Sequence, residues 1–288
     1  MNFNDWVLQN EALIRLSAFI GIFVIVAIWE MMAPRRVLSL AKAWRWTSNI
    51  GIVVLNTVVL RLIFPAAAVG VAAFAGEQGW GVFNYYPVPF WLALVVSVMF
   101  LDFIIYLQHV MVHAVPALWR LHRVHHADLD YDLTTGARFH PIEIILSMLI
   151  KFATIVVLGP PVVAVVVFEV LLNATAMFNH GNLKLPLAID RVLRWFVVTP
   201  DMHRVHHSIE ADETNSNFGF NLPWWDRLFG TYRAQPRAGH EGMIIGLDKY
   251  RNPKQVARLP GMLLMPFVGE VGDYPINRRS WKKPEDAE

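Results

Sequence analysis

The stretch PFWLALVVSVMFLDFIIYLQHVMVH, residues 89–113, closes a long apolar run with two histidines one helical turn apart. Its apolar part, Pro89 to Val112, exceeds the roughly 20 residues that an α-helix needs to cross a bilayer. His109 and His113 are spaced i, i+4, so a helix presents both imidazoles on one face. The stretch therefore predicts a membrane-spanning helix that carries a pair of metal-binding side chains out of the bilayer.

Further apolar runs on both sides of this stretch predict that the whole chain is a membrane protein. The sequence is 55% hydrophobic and only 17% charged, with a mean hydropathy of +0.40, and the excess apolar content lies in long runs. We predict an all-α fold: a polytopic membrane helix bundle with a cytosolic, histidine-rich helical cap. The other predicted spans are Leu13–Met32, Ile52–Phe74 and a hairpin of Ile142–Leu158 and Val162–Phe178, broken at Gly159-Pro160-Pro161.

The charges of the loops predict the orientation. Basic residues without acids follow the first span, and more basic residues follow the third, whereas the loop after the second span has only Glu77. The basic residues are Arg35, Arg36, Lys42 and Arg45 in the first group, and Arg120, Arg123 and Arg138 in the second. By the positive-inside rule the N-terminus is outside, and the histidines and the C-terminus are cytosolic. Met1 to Asp5 lack the basic region of a secretory signal, so we expect the first span to be retained.

The pentapeptide His-Arg-Val-His-His occurs twice, at His122–His126 and at His203–His207. In a helix each copy directs three imidazoles to one face. His180, in Asn179-His180-Gly181, ends the hairpin on the same predicted side of the membrane. The predicted metal ligands are therefore His109, His113, His122, His125, His126, His180, His203, His206 and His207.

Four other residues are candidates either as ligands or as hydrogen-bond partners of ligands. They are His140, Asp102, Glu143 and Asn179. Asp102 lies inside a predicted span, where a charge is costly and usually functional. It can accept a hydrogen bond from a ligand histidine or make a structural contact between helices, and both interpretations stay open.

The size and chemistry of the ligand set limit the possible metals. A structural zinc site needs four ligands, so nine predict two ions with open coordination positions. Imidazole suits iron, zinc and copper, and the ligand type alone leaves all three open. The chain has no cysteine, which excludes disulfides, thiolate-bound clusters and cysteine nucleophiles, and its net charge of +2 gives no indication of nucleic-acid binding.

Between the hairpin and the second pentapeptide, charged and apolar residues alternate from Leu185 to Val198. The pattern predicts an amphipathic helix at the membrane interface. An ordinary surface helix packed on the cap fits the pattern equally well.

The motifs together resemble the fatty acid hydroxylase / sterol desaturase superfamily. The shared features are HxxxH, two copies of HxxHH and the Asn-His-Gly triplet between them. ALWRLH at 117–122 resembles the family's approach to its second histidine box, and NFGFNLPWWDRLFGTY at 217–232 resembles the segment after its third box. The resemblance covers about Pro89 to Tyr232, half of the chain.

The resemblance implies a non-haem di-iron centre that uses O2 to hydroxylate an unactivated C–H bond of a lipid or sterol-like substrate. Because the chain has no cysteine and no flavin or haem segment that we recognise, we expect a separate reductase with a ferredoxin or a b-type cytochrome. No catalytic residue beyond the metal ligands is predicted.

Alternatives remain at this stage. The same centre serves desaturases, which would remove two hydrogens instead of adding one oxygen. From other classes, a membrane metal transporter or a zinc-binding structural protein also uses histidines. We expect two N-terminal spans in 1–88, the catalytic domain in 89–233, a cytosolic tail in 234–288, and a location in a bacterial inner membrane.

Overall fold

The computed structural model describes residues 3–276, and side chains from Asp5 onward. This part of the chain is helical and contains no β-strand, which confirms the all-α class. The first two thirds of the fold contain the long helices and the single-turn helix α4: α1 (Phe3–Met32), α2 (Lys42–Ile63), α3 (Ala67–Glu77), α4 (Val82–Tyr85), α5 (Phe90–Ala114), α6 (Pro116–His126), α7 (Pro141–Leu158) and α8 (Val162–Asn179). Short helices follow: α9 (Leu187–Leu193), α10 (Pro200–His206), α11 (Ala211–Thr214), α12 (Trp224–Leu228), α13 (Gly239–Gly242), α14 (Pro253–Val256) and α15 (Leu259–Leu264).

Five segments in the described range are long and apolar enough to cross a membrane. Four of them are α1, α5, α7 and α8, which match the predicted spans to within a few residues apart from the longer start of α1. The fifth covers Lys42–Tyr85 and differs from the prediction of one run from Ile52 to Phe74. The first helix of this segment, α2, begins ten residues before the predicted start at Ile52. It ends at Ile63, because Pro65 disfavours a helical conformation in the residue before it.

The hairpin between α7 and α8 turns at Gly159. Gly159 has a φ of +63°, and a Cβ there would lie 2.6 Å from the carbonyl oxygen of Trp80. The loop before α5 therefore packs directly on this turn, and the close approach requires glycine. The hairpin turn and the loop after the second span share one end of the bundle.

The opposite end carries the cap. The segment between α1 and α2 is held there, since the backbone N–H groups of Ser39 and Leu40 donate to the carboxylate of Asp130 at 2.8 and 2.9 Å. Arg36 also donates to the carbonyl of Met243 at 2.7 Å. The loop after the first span, the pentapeptides and the later chain thus gather at one end, which is the grouping that the loop charges predict.

A buried ion network joins α2 to the cap. The guanidinium of Arg45 donates to Asp128 at 2.7 Å and to Asp132 at 2.5 Å, and Arg138 lies 3.2 Å from Asp128. Although burial opposes it, the charges of Arg45 and Arg138 hold the pKa of Asp128 well below its ordinary value. Arg45 therefore anchors the start of the second span, a role that the orientation argument alone does not give it.

The chain after the second pentapeptide completes the cap. Its described part packs on α2 and α6, where Ile52, Trp119, Tyr250, Met262 and Met265 share one buried cluster. Residues 277–288 of the predicted tail lie outside the described range. The region from Leu185 to Val198 forms only the short helix α9, which begins after Pro186 and ends at Leu193 instead of continuing to Val198. Its charged residues Asp190 and Arg194 point inward as an ion pair.

Candidate metal centre

The end of α5 and the start of α6 form the first wall of the site. The chain leaves α5 at Ala114, and Pro116 occupies the first turn of α6, where its missing N–H costs nothing. The turn directs α6 back over the end of α5. The ring of His122 then lies 5.0 Å from that of His109 and 4.9 Å from that of His113, between centroids.

Five histidines converge on one point. One ring nitrogen of each lies within 4.8 Å of the corresponding nitrogen of every other. The five are His109, His113, His122, His126 and His206. They come from three elements, α5, α6 and α10, so this group closes only when the two pentapeptides and the end of α5 meet.

Hydrogen bonds orient four of these five rings through Nδ1. That atom of His109 faces the carbonyl of Phe218 at 2.8 Å, and that of His206 faces the carbonyl of Ser216 at 2.7 Å. The other two face side chains: His113 meets Asn215 at 3.1 Å, and His122 meets the Glu143 carboxylate at 2.6 Å. An acceptor at Nδ1 fixes the tautomer and leaves Nε2 as the ligand atom.

Four more histidines form a second group beside the first. They are His125, His180, His203 and His207, again with ring nitrogens within 4.8 Å of one another. The Nε2 atom of His180 lies 3.2 Å from that of His125 and 3.1 Å from that of His203. Its Nδ1 atom meets the carbonyl of Ala176, one turn back in α8, at 2.9 Å.

Each pentapeptide contributes to both groups. Its residues share a helical face, as predicted, but that face lies between two points of convergence. The first copy gives His122 and His126 to the five-histidine group and His125 to the other. The second copy gives His206 to the five-histidine group, and His203 and His207 to the other. This division matches two metal ions side by side better than one.

The donor atoms fit metal ions. Nε2 of His109, His122 and His206 is buried and has no hydrogen-bond partner among the described residues, although the opposite nitrogen of each ring is bonded. Burial and neighbouring histidines lower the pKa of His125, His126, His203, His206 and His207 well below the ordinary value. Burial lowers the pKa of His180 to about 3. These six rings are therefore neutral, the form in which imidazole binds metals.

The four additional candidates separate into one that reaches the site and three that do not. Glu143 contacts His122, as described above. Asp102 instead accepts hydrogen bonds from the backbone of Asn221 and Leu222, at 3.2 Å each, and from Nε1 of Trp225 at 2.8 Å. The hypothesis that Asp102 contacts a ligand histidine is therefore wrong, because two backbone donors of the loop before α12 and the indole N–H of Trp225 in α12 surround its carboxylate.

His140 and Asn179 also face away from the two groups. Nδ1 of His140 accepts from the backbone N–H of Ile142 at 3.2 Å, so this side chain caps the N-terminus of α7. The Asn179 amide donates to the carbonyl of Phe220 at 2.9 Å. Both residues shape the ends of helices next to the site, and neither is a metal ligand in this arrangement.

Sequence reasoning missed the partners that lie after the second pentapeptide. Asn215 holds His113, and the carbonyls of Ser216 and Phe218 hold His206 and His109. Asn215 lies next to the 217–232 segment that carries the family resemblance, so its position is a usable signal. The two backbone carbonyls give no signal in the sequence, because every residue has one.

An apolar cavity of about 280 Å³ opens beside the histidines. His109, His122 and His125 line it, so members of both groups border the same space. The remaining lining comes mostly from apolar side chains of the spans, including Leu60 and Leu172. The metal centre thus faces a space that a hydrophobic molecule can enter.

Comparison with known proteins agrees with this geometry. The family model for fatty acid hydroxylase matches residues 94–231, which contain all nine clustered histidines. The chain is 28% identical over 150 residues to ornithine lipid hydroxylase OlsE of Rhizobium tropici, covering 52% of this chain and 44% of that protein. It is 27% identical over 212 residues to alkylglycerol monooxygenase of Xenopus tropicalis, covering 68% and 44% of the two chains.

A third relative is fatty acid hydroxylase vlmA of a Lecanicillium species, with 28% identity over 155 residues, 49% of this chain and 42% of that protein. The chain therefore spans less than half the length of each of these relatives. No solved structure matches it. The matched region agrees with the Pro89–Tyr232 range in which the sequence motifs lie, and these comparisons support the assignment of this region to the fatty acid hydroxylase / sterol desaturase superfamily.

Proposed function

We propose that this protein is an O2-dependent membrane oxidoreductase that hydroxylates an unactivated C–H bond of a lipid or another hydrophobic substrate. The cavity is the observation that carries this proposal. It is lined by histidines of both groups and continues between membrane-length helices. A substrate that resides in the bilayer can therefore reach the metal centre without crossing water.

We propose two iron ions as the cofactor, one in each histidine group. The all-imidazole ligand sets, with buried nitrogens that have no partner in the described chain, support this assignment. When bound, the iron would supply the activation of O2 for attack on carbon. The names of the relatives, two hydroxylases and a monooxygenase, support hydroxylation over desaturation.

The protein side chains hold the ligand rings in position and exclude water from the site. Hydrogen bonds to Nδ1 hold four ligand rings in place. The ring of Phe139 stacks on His125, with centroids 4.5 Å apart, and lines the cavity, so it shields one ligand from solvent. Apolar walls exclude water from the reacting carbon, which disfavours side reactions.

We propose that electrons come from a separate reductase with a ferredoxin or a b-type cytochrome, since the chain has no cysteine. The cap and both histidine groups would then face the cytosol of a bacterial inner membrane, in accordance with the loop charges. In this proposal residues 1–88 contribute two N-terminal transmembrane spans, 89–233 form the catalytic domain and 234–288 form a cytosolic tail. Both groups lie at one end of the bundle, which is unlike a transporter site near the midplane.

The test combines metal content with lipid analysis. The wild-type protein and His206→Ala are expressed in the same host, iron and zinc are measured in the purified proteins, and membrane lipids are compared by mass. We expect about two irons per wild-type chain and a lipid with one added oxygen that the variant lacks. His140→Asn is the matched control and should behave as wild type. Zinc in place of iron together with identical lipids would contradict the proposal, and a loss of two hydrogens would favour the desaturase.

A further inference from the structure

The polar side chains inside the apolar cavity are few, and one of them is unusually constrained. Asn56 lies on α2, about one turn into the predicted membrane span that begins at Ile52, and lines the cavity together with His122 and His125. Its side chain is only 7% exposed. A buried amide in a span is costly unless its hydrogen bonds are made, so such a residue is a candidate for function.

The orientation of the Asn56 amide is fixed by the cap. Nδ2 donates to the backbone carbonyl of Phe139 at 2.9 Å. A carbonyl only accepts, so the nitrogen must face it and the assignment of Nδ2 and Oδ1 is unambiguous. Oδ1 is then turned away from Phe139, and it has no partner among the described residues. Asn56 thus lines the cavity and carries a buried acceptor without a partner among the described residues.

The position of this acceptor relative to the metal centre follows from Phe139. The residue whose carbonyl holds Asn56 also stacks its ring on His125, with centroids 4.5 Å apart. Asn56 is therefore connected to His125, in the four-histidine group, through a single intervening residue, Phe139. A substrate group bound to Oδ1 would lie at the metal end of the cavity rather than deep among the spans.

A second amide in the cavity is compatible with the same role. Gln108 lies one residue before the ligand His109 and also lines the cavity. Its Oε1 is buried and has no partner in the described chain. Two acceptors without donors predict a ligand that brings its own donor, because carbonyl oxygens cannot satisfy each other.

We propose that Asn56 is a specificity-determining residue whose Oδ1 accepts a hydrogen bond from a hydroxyl or amide N–H of the substrate, close to the carbon that is oxidised. This inference rests on the proposed function, which it narrows from hydrophobic molecules in general to lipids with such a donor near the reacting carbon. A plain alkyl chain would leave the acceptor unpaired and bind less well.

The test uses two matched pairs of probes. One pair is a long-chain primary alcohol and its methyl ether, and the other is a long-chain secondary amide and its N-methyl derivative. Their dissociation constants are measured with the purified, metal-loaded protein in lipid nanodiscs. For at least one pair we expect the wild type to bind the donor-bearing member roughly tenfold or more tightly, the size of one buried hydrogen bond.

Variants connect the preference to the residue. Asn56→Leu should bind both members of the pair equally, with the affinity of the methylated probe. Asn49→Leu is the matched control: it removes a buried amide from the same helix, 1% exposed, whose Nδ2 bonds Thr134 at 2.9 Å, and it should keep the preference. Asn49 borders a neighbouring cavity rather than this one.

Two results would overturn the inference. One is equal binding of both members of each pair by the wild type, which needs no variant and so does not depend on how Asn56→Leu folds. The other is an undiminished preference in Asn56→Leu. Neither result touches the proposed function, which is tested separately by metal content and lipid oxidation in the wild type and His206→Ala.

Discussion

The carboxylate of Glu143 lies 2.6 Å from Nδ1 of His122, at the point where α7 enters the bundle. The contact leaves Nε2 of His122 as the atom that faces the other four histidines of its group. It also joins the first turn of a membrane-length helix to the metal centre. A carboxylate in this position raises the basicity of the ligand and fixes the direction of its ring.

We expect Glu143→Ala to lower activity or metal affinity roughly 10- to 100-fold, the range for partners of ligand histidines. Glu143→Gln should lose less, because its amide oxygen still accepts the hydrogen bond. Metal content and turnover of both variants are measured beside Ser147→Ala, one turn further along α7 in the same cavity, which should remain close to wild type. Equal activity in Glu143→Ala and Ser147→Ala would show that the carboxylate does not support the ligand.

The unequal sizes of the two histidine groups lead to a second prediction. His113→Ala leaves four ligands in its group, whereas His203→Ala leaves three in the other. We therefore expect His203→Ala to lose about one metal ion per chain and His113→Ala to lose less. Metal analysis after identical purification distinguishes them. Equal retention in the two variants would contradict the division of nine ligands into five and four.

His140 provides a test that separates capping from metal binding. Its Nδ1 accepts the backbone N–H of Ile142 at the start of α7, so His140→Ala should lower the free energy of unfolding by about 1 kcal/mol, the usual loss of an N-cap. His140→Asn keeps a good cap and should be nearly neutral. Both should keep the metal content of the wild type, measured together with thermal unfolding in detergent. A loss of metal in both variants would make His140 a ligand after all.

Much of this architecture could be predicted because the signals are periodic or chemically specific. Apolar runs of membrane length predicted the spans, and two copies of one pentapeptide predicted a convergence of histidines that the structure reproduces. The charges of Arg35 and Arg36 helped to predict that the loop after the first span lies at the same end of the bundle as the pentapeptides, and the structure has this grouping. The break after Ile63 was missed because the run of apolar residues continues on both sides of Pro65.

The contacts that were missed depend on pairs of residues far apart in the chain. Asp102 shares a helical stripe with His109, and this spacing favoured a direct contact. The hydrogen-bond donors to the Asp102 carboxylate come instead from residues more than a hundred positions later in the chain, among them Asn221 and Trp225. No local pattern reports such a partner. The assignment of one histidine of a pentapeptide to either histidine group likewise depends on how the two copies meet, which spacing alone does not give.

The contacts of Asp102 in the structure change the expected effect of substituting this residue. Asp102→Ala leaves one buried and two partly buried donors without a partner, at roughly 1–3 kcal/mol for each buried donor before relaxation, so we expect a loss of about 3 kcal/mol in the free energy of unfolding. Asp102→Asn retains an acceptor and should lose less. Metal content of the folded fraction should stay at the wild-type value in both, because no ligand is touched. A stable Asp102→Ala protein that lacks metal would return Asp102 to the metal centre.

Asp226 offers a test by pH. It accepts the backbone N–H groups of Phe218 and Gly219 at 2.7 and 2.8 Å, and burial raises the pKa of this carboxyl to about 6 from an ordinary value of 3.8. The folded state thus holds a proton that the unfolded chain releases at lower pH. The stability that this proton contributes is complete below pH 3.8 and is lost as the pH rises through about 6.

The difference in unfolding free energy between wild type and Asp226→Asn isolates that contribution, since the histidine groups are common to both proteins. We expect the wild type to lose stability relative to Asp226→Asn as the pH is raised from about 5 to about 6.5, and the difference to be constant above that range. Thermal unfolding in one detergent at matched ionic strength provides the measurement. Asp212→Asn is the control, because this carboxylate is 46% exposed and paired with Arg233, and ion pairing lowers its pKa despite partial burial. A difference that stays constant with pH from about 5 to about 6.5 would mean that Asp226 is ionised in the folded protein throughout this range and that its three donors outweigh its burial. The same pH-dependent difference in Asp212→Asn would show that Asp226 is not its source.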